Sequence, residues 1–383
     1  FLAAGFPAGD VQVLAPRPDK ANLIVRYRGR TGSTRKPIML LAHLDVVEAL
    51  KTDWSSDLDP FKLIERDGYF YGRGTSDDKA MAGIFVANML RMKREGYVPD
   101  RDIILALTAD EEGGPANGVR WLVRNHKELI DAAYALNEGG GGALKDGKPF
   151  YHSVQATEKV SANFRLTATN RGGHSSVPRP DNAIYQLAAA LTKVGQYAFP
   201  VELNDVTRAF FERTASIESP EVAAAMRALI KNPNDAAASA IVSAQPRFNS
   251  MLRTTCVATR LSGGHANNAL PQTATANINC RMVPNKPPEE VRQALARAIG
   301  DSGIQISAAA GLDPSPPAPL NPELMGPVER LNKQMFRDIP TIPTMSTGAT
   351  DGRFLRSAGI PTYGVSGLFG DPNDARAHGK DER

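Results

Sequence analysis

The sequence predicts an α/β domain interrupted by a smaller α+β domain. Three observations predict it. Up to residue 157, near-continuous apolar strands alternate with helices, the pattern of a mostly parallel sheet covered on both faces. From 158 to 312 the apolar residues switch to period two, and the elements run β-α-β-β-α-β, the ferredoxin-like order. From 313 to 383 strand–helix–strand character returns, so the first domain is discontinuous, 1–157 with 313–383. A chain of 383 residues has the length for two such domains.

Residues 21–28 and 37–47 read as strands. "KAMAGIFVANMLRMKR", 79–94, reads as a helix stopped by Gly96 and Pro99. "DIILALTA", 102–109, is an apolar strand, 116–130 a helix, and "AAYALN", 132–137, another strand. In the second domain, "KVSANFRLTAT" alternates polar and apolar, as a one-sided sheet does. A helix follows over 181–195 with Asp181 as its N-cap, then strands over 250–261 and 272–283, a helix over 288–299 and the short strand "GIQISAA". An Ala-rich helical insertion, 203–245, precedes the second strand of the set. "GLDPSPPAPLNPE", 311–323, is Pro-rich and reads as a linker. A helix over 321–336 and a strand–helix–strand around "TDGRFLRSAGIPTYGV" close the chain.

The composition is that of an ordinary globular protein, 42% hydrophobic and 22% charged. A net charge of +4, without a basic block interleaved with aromatics, argues against nucleic acid. No run approaches 18 apolar residues, so no membrane span is expected. Cys256 and Cys280 show no metal-ligand spacing; both fall in expected strands, where buried thiols are the default and a disulfide the alternative. The chain opens on Phe1 and stops at "HGKDER", which reads as a trimmed or partial chain. The compartment is open between cytoplasmic and, with a trimmed signal peptide, periplasmic or secreted.

The chemistry gathers at strand ends, where open α/β sheets bind ligands. "IMLLAHLDVV", 38–47, carries His43 and Asp45 where a core strand would hold aliphatics. At i and i+2 the two project to one face, as a metal ligand with its orienting carboxylate or as a base with its helper. "GRGTSDDKAMAG" places Asp77 and Asp78 before a helix, "TADEEGG" places Asp110, Glu111 and Glu112 after a strand, and "LNEGGGG" places Glu138 after the next. "ARAHGKDER" adds His378. One such group is ordinary surface. Four successive strand ends loaded with carboxylates would repel one another and lose hydration, a penalty that cations remove.

"HLD", "GRGTSDDK", "EEGG", "NEGG" and the terminal "HG..ER" resemble the M20 metallopeptidases: aminoacylases, di-zinc carboxypeptidases and deacylases. The resemblance spans essentially the whole chain and implies a zinc-peptidase-like catalytic domain with an inserted lid and dimerisation domain. It implies two Zn²⁺, with Co²⁺ or Mn²⁺ as alternatives, bridged by Asp77; His43 and Glu138 hold one, Glu112 and His378 the other. Asp45 orients His43, and a cis peptide joins Asp77 to Asp78. Glu111 is the general base for a zinc-activated water. His174, in "RGGHSSVP", reaches the active site of a partner subunit, which implies a homodimer. Asn268 and Arg281 hold the substrate carboxylate, Arg281 through its bidentate fork. Gly348, Thr350 and Asp351 line the pocket. His126, His152 and His265 are given no role.

The implied activity is hydrolysis of an amide or peptide bond next to a free carboxylate, in an N-acyl amino acid or short peptide. "SMLRTTCVATRLSGGHANNALPQ" and the helical insertion look most like the carboxypeptidase S and Gly-Xaa carboxypeptidase branch. A desuccinylase or deacetylase of a biosynthetic intermediate shares every metal ligand, as does an aminopeptidase or dipeptidase. A non-catalytic dimeric binding protein would be expected to lack a ligand or the base, and this sequence has them all.

Overall fold

The computed structural model describes residues 1–308, 315–336 and 338–383. Two compact units divide the chain. One holds Phe1–Thr157, Pro317–Thr344 and Thr350–Arg383; the other holds Glu158–Pro316 and Met345–Ala349. The domain boundary expected at 312/313 and the first residues of the expected linker lie outside the described residues.

The first unit is built on a ten-stranded sheet. Its order is Val11–Arg17, Lys20–Tyr27, Ile103–Thr108, Ile38–His43, Tyr134–Asn137, Thr362–Gly364, Lys148–Glu158, Gly141–Lys145 and Phe369–Gly370, with Thr341–Ser346 pairing Lys148–Glu158. Ile103–Thr108, Ile38–His43, Tyr134–Asn137 and Thr362–Gly364 run parallel, flanked by antiparallel pairs on both sides. The sheet is therefore more mixed than the sequence suggested. The strands Val11–Arg17, Gly141–Lys145 and Lys148–Glu158 escaped the sequence reading. Their mixed burial hides the apolar runs that marked the central strands.

The central strands are buried on both faces, as their apolar runs require. Met39, Leu41, Ile104 and Ala106 pack with Val119, Leu122, Phe354 and Leu355 on one side. Ala42, Leu105 and Leu107 pack with Met81, Phe85 and Met89 of the helix Ala80–Arg94 on the other. The helix expected over 116–130 is two, Gly118–Asn125 and Lys127–Ile130. His126 breaks it with non-helical φ −144° and ψ 39°.

The second unit holds a four-stranded antiparallel sheet, in the order Thr255–Gly263, Thr273–Met282, Val160–Thr169 and Ile304–Ala308. Phe164, Leu166, Ile278 and Met282 meet Leu187, Val194, Val291 and Leu295 in one core, so the helices Ala183–Gln196 and Pro288–Ile299 cover one face. Four helices, Asp205–Thr214, Pro220–Lys231, Ala236–Ser243 and Pro246–Leu252, form the insertion. The last of them occupies the start of the strand expected at 250, and the strand begins at Thr255. Asn182, not Asp181, caps the first helix by accepting from the Ile184 N–H, while Asp181 pairs with Arg179. Cys256 and Cys280 are directly opposed on neighbouring strands and form a disulfide, not the free thiols expected by default.

Leu41, in the strand that ends at His43, is 1% exposed and packs with Ile104, Val119 and Leu122. Leu41→Ala should lower stability by about 2–5 kcal/mol in urea unfolding, because a buried leucine loses its contacts and leaves a cavity. A loss below about 1 kcal/mol would contradict this packing.

Candidate metal centre

The parallel strands Ile38–His43, Ile103–Thr108 and Tyr134–Asn137 finish on one edge. His43 closes the first, Glu111 and Glu112 follow the second, and Glu138 follows the third directly. Asp77 sits in the segment Thr75–Lys79 that leads into the helix Ala80–Arg94, and a cis peptide joins it to Asp78. His378, at a left-handed φ of 62°, comes from the last residues of the chain.

These side chains meet. The His43 Nε2 lies 2.9 Å from Asp77 Oδ1. The His378 Nε2 lies 3.0 Å from Asp77 Oδ2 and 2.9 Å from Glu112 Oε1. Asp77 thus presents one oxygen to each histidine. His43, Asp77 and Glu112 offer ligand atoms within 4.8 Å of one another, as do His43, Glu111 and Glu138.

The local charges fit cations. Burial, then Asp351, Glu112 and Asp77, push the Glu111 carboxyl up to about 8 against the pull of His43. Burial and Glu111 hold Glu138 well above the carboxylate range, and burial pushes Asp78 up to about 7. Burial favours a neutral His43, but Asp45 and Asp77 outweigh it and push the imidazolium up to about 12. Burial also opposes the charge on Asp77, yet His43 and His378 keep it below the ordinary range. Carboxylates crowded this way must take up protons or bind cations. Imidazole nitrogens with carboxylate oxygens suit borderline divalent ions, and Asp77 has the two oxygens that a shared ligand needs.

Asp45 touches both His43 and the glutamate loop. The strand ends at His43, so Asp45 lies in the following loop. The His43 Nδ1 is 3.1 Å from the Asp45 carbonyl oxygen and 3.6 Å from its carboxylate. The carboxylate also accepts the backbone N–H groups of Glu111, at 3.1 Å, and Glu112, at 3.0 Å. One residue orients the histidine with its backbone and the two glutamates with its side chain. Asp110 turns away from the cluster: at φ 67° it pairs with Lys20 and accepts the Ala116 N–H at 2.8 Å.

In the second unit, His174 and Asn268 come together. His174 pairs with Ala269 in a two-stranded ladder, and the Ser175 N–H donates to the Asn268 carbonyl at 3.0 Å. The exposed His174 ring accepts the Ser176 N–H on Nδ1 at 3.2 Å, and the same nitrogen lies 2.7 Å from Ser176 Oγ. Arg281 lies opposite Ser161 and Thr255. Gly348 donates its N–H to Ser346 Oγ at 3.1 Å. In the first unit, Thr350 accepts the Gly352 N–H, and Asp351 is buried and receives Asn117 Nδ2 at 2.6 Å. His152 is buried and donates from Nε2 to the Ser366 carbonyl at 2.7 Å, a packing role.

Three residues with evident roles escaped the sequence reading. Lys159 is 1% exposed and donates from Nζ to Thr255 Oγ1 at 3.1 Å; burial, then Arg281, bring its pKa down to about 7. Asn117 caps the helix Gly118–Asn125 and holds Asp351. Glu382 is fully buried against the Asp77 loop. Glu382 stood within the quoted terminal motif, a signal that could have found it; lone Lys and Asn residues carry none.

The raised carboxyls set a pH dependence. Glu111 moves from 4.5 to about 8 and Asp78 from 3.8 to about 7. Each keeps its proton in the folded chain to higher pH than in the unfolded chain, so these groups make the metal-free protein less stable as pH rises from roughly 4 to 8. A cation takes the protons' place, and His43 must also shed its proton to bind one. The rise in Tm on adding Zn²⁺ or Co²⁺ should therefore be larger at pH 8 than at pH 6 by scanning fluorimetry. Equal shifts would contradict this electrostatic account.

Residues 39–383 match peptidase family M20/M25/M40. The N-fatty-acyl-amino acid synthase/hydrolase PM20D1 of Xenopus tropicalis is 32% identical over 356 residues, 91% of this chain and 68% of that protein. "Probable carboxypeptidase S-like 2" of Dictyostelium discoideum is 29% identical over 374 residues, 94% of this chain and 70% of that protein. The crystal structure of an M20 family metallo-carboxypeptidase from Sulfolobus solfataricus shares the fold, with a TM-score of 0.67 at 20% identity over 97% of this chain and 85% of that one. With nine-tenths of its length matched, the chain belongs to peptidase family M20/M25/M40 and is a hydrolase of that family.

Proposed function

We propose that the protein hydrolyses an amide bond next to a free carboxylate, in an N-acyl amino acid or a short peptide. The observation that carries this reading is the placement of Glu111. It stands beside the His43–Asp77–His378–Glu112 chain of contacts, in a loop whose backbone Asp45 pins. Relatives named for N-fatty-acyl-amino acids, carboxypeptidase S and aminoacylase support the substrate class.

His43, Asp77 and Glu138 would hold one Zn²⁺, and Asp77, Glu112 and His378 a second, with Co²⁺ or Mn²⁺ as alternatives. When bound, such ions supply Lewis acidity that acidifies water and polarises the scissile carbonyl. Glu111 takes a proton from the attacking water and delivers it to the leaving amine; one water is consumed, and a carboxylic acid and an amine are released. The crowding that raises the Glu111 carboxyl suits a group that must hold that proton near neutrality. Arg281, with Lys159 beside it, is the partner for the substrate carboxylate, and Asn268 assists. A cavity of about 490 Å³ beside Asp77 and Glu138, lined by Met81, Gly141, Tyr151 and Leu368, has room for the acyl group. His174 donates from Nε2 to the developing oxyanion in a second copy of the chain.

That last role requires a dimer. The edge strand Thr255–Gly263 has exposed backbone on one side, with Val257 60% and Leu261 70% exposed. Tyr185 of the neighbouring helix is 69% exposed. An open strand edge flanked by apolar side chains favours strand-to-strand pairing of two copies. Light scattering should give a dimer for the wild type and a folded monomer for Leu261→Glu. A monomeric wild type would remove the role given to His174.

Glu111→Gln should lower kcat by at least about 10²-fold while metal stays bound, because the amide cannot take a proton. The wild type should release amino acid from N-acyl amino acids and not from their C-terminal amides. Arg281→Ala should raise KM for the acids. Turnover of amides, or only of substrates with a free amine, would favour the aminopeptidase reading instead.

A further inference from the structure

We propose that Glu382 is a positioning residue that holds the backbone of Asp77 in place to share its two oxygens between cations. The inference rests on the reading of Asp77 and His378 as metal ligands. Glu382 is 0% exposed. Its Oε1 accepts the backbone N–H groups of Gly74 at 3.0 Å, Ser76 at 3.1 Å and Asp77 at 3.2 Å, and the Ser76 hydroxyl at 3.0 Å. Its Oε2 receives Arg73 Nη1 at 2.6 Å, and its carbonyl oxygen accepts the Gly72 N–H at 3.0 Å. The loop before Asp77 is thus wrapped around one carboxylate.

The loop's own geometry requires this anion. Three amides aimed at one point form a positive concavity that is unfavourable when buried without a partner. Gly74 makes the turn at φ 85°, and a Cβ there would meet Val46 Cγ1 at 2.5 Å. The Asp77 amide is held directly, and its carboxylate starts from that backbone. A small shift of the amide would move both oxygens relative to His43 and His378.

The same short segment supplies His378. Its Nε2 reaches Glu112 and Asp77, and Glu382 follows within the motif "HGKDER". Asp381 anchors the segment by accepting Ser55 N–H at 2.9 Å and Ser55 Oγ at 2.6 Å, and Arg383 donates to the Tyr71 hydroxyl at 3.1 Å. Asp381 holds the tail without touching Asp77, which makes it the natural control.

Metal affinity of the chain decides the matter. Co²⁺ would be titrated into metal-free protein, reading its visible spectrum, and Zn²⁺ in competition with a chromophoric chelator, with circular dichroism as the check on folding. Glu382→Ala should weaken binding roughly 10–100-fold and alter the Co²⁺ spectrum, the effect expected when support of a ligand is lost. Glu382→Gln, which still offers an oxygen to the amides, should recover part of that loss. Asp381→Ala should weaken binding by much less. If Glu382→Ala does not fold, Glu382→Asp decides, since it keeps the charge but withdraws it from the amides; a loss of about tenfold or more is expected. Wild-type affinity in the folded Glu382 variants, or an equal loss in Asp381→Ala, would overturn this inference alone. A wild type that binds neither ion would overturn the metal reading on which it stands.

Discussion

The first unit depends on a charge constraint: carboxylates converge at the ends of buried parallel strands, where water screens them only in part. Asp77 is the centre of this arrangement, with His43 and His378 on its two oxygens. Glu111, Glu112 and Glu138 crowd around it, and burial makes their charges mutually unfavourable. A side-chain set of this kind is stable with its protons or with cations. The pressure that would draw ions into the site is the same pressure that leaves Glu111 able to hold a proton.

Precision at such a site comes from backbone anchoring. The residues concerned lie on loops, and loops lack the ladders that hold a strand. Here buried carboxylates take the place of ladder partners. Asp45 fixes the amides of Glu111 and Glu112, Glu382 fixes those of Gly74, Ser76 and Asp77, and Asp110 fixes that of Ala116. Each bond pairs an ionised acceptor with a backbone donor, which makes it stronger than a neutral one. Beneath them, packing on both faces of the central strands removes the remaining freedom.

The second unit solves a different problem. Among the described residues, two helices cover one face of its sheet, and the strand Thr255–Gly263 forms an edge. Lys159 is buried beside Arg281, and burial, then that guanidinium, bring its amine down to about 7. An anion nearby would favour the protonated amine. The pairing of His174 with Ala269 and the bond from the Ser175 N–H to the Asn268 carbonyl keep His174 and Asn268 in register.

The sequence by itself determined the central strands, the α/β class and the βαββαβ unit, because burial on one or two faces writes a local period into the chain. It also identified the acids and histidines that meet at the strand ends, because strand ends in such sheets are common destinations. It did not determine what each side chain touches. Asp45 and His43 stand two residues apart in either reading, yet only the folded loops show the Asp45 carboxylate on the amides of Glu111 and Glu112. Asp110 looked like a third member of an acidic cluster and is an ion-pair partner of Lys20. Asn182 took the cap expected of Asp181, whose carboxylate was claimed by Arg179. Cys256 and Cys280 paired because strand register set them opposite one another. Glu382 meets the Asp77 loop because its segment returns to residues some three hundred positions earlier. In every case the deciding contact is long-range or a competition between neighbours. Such contacts leave no period in the sequence, because they depend on where the packed sheet brings distant loops together.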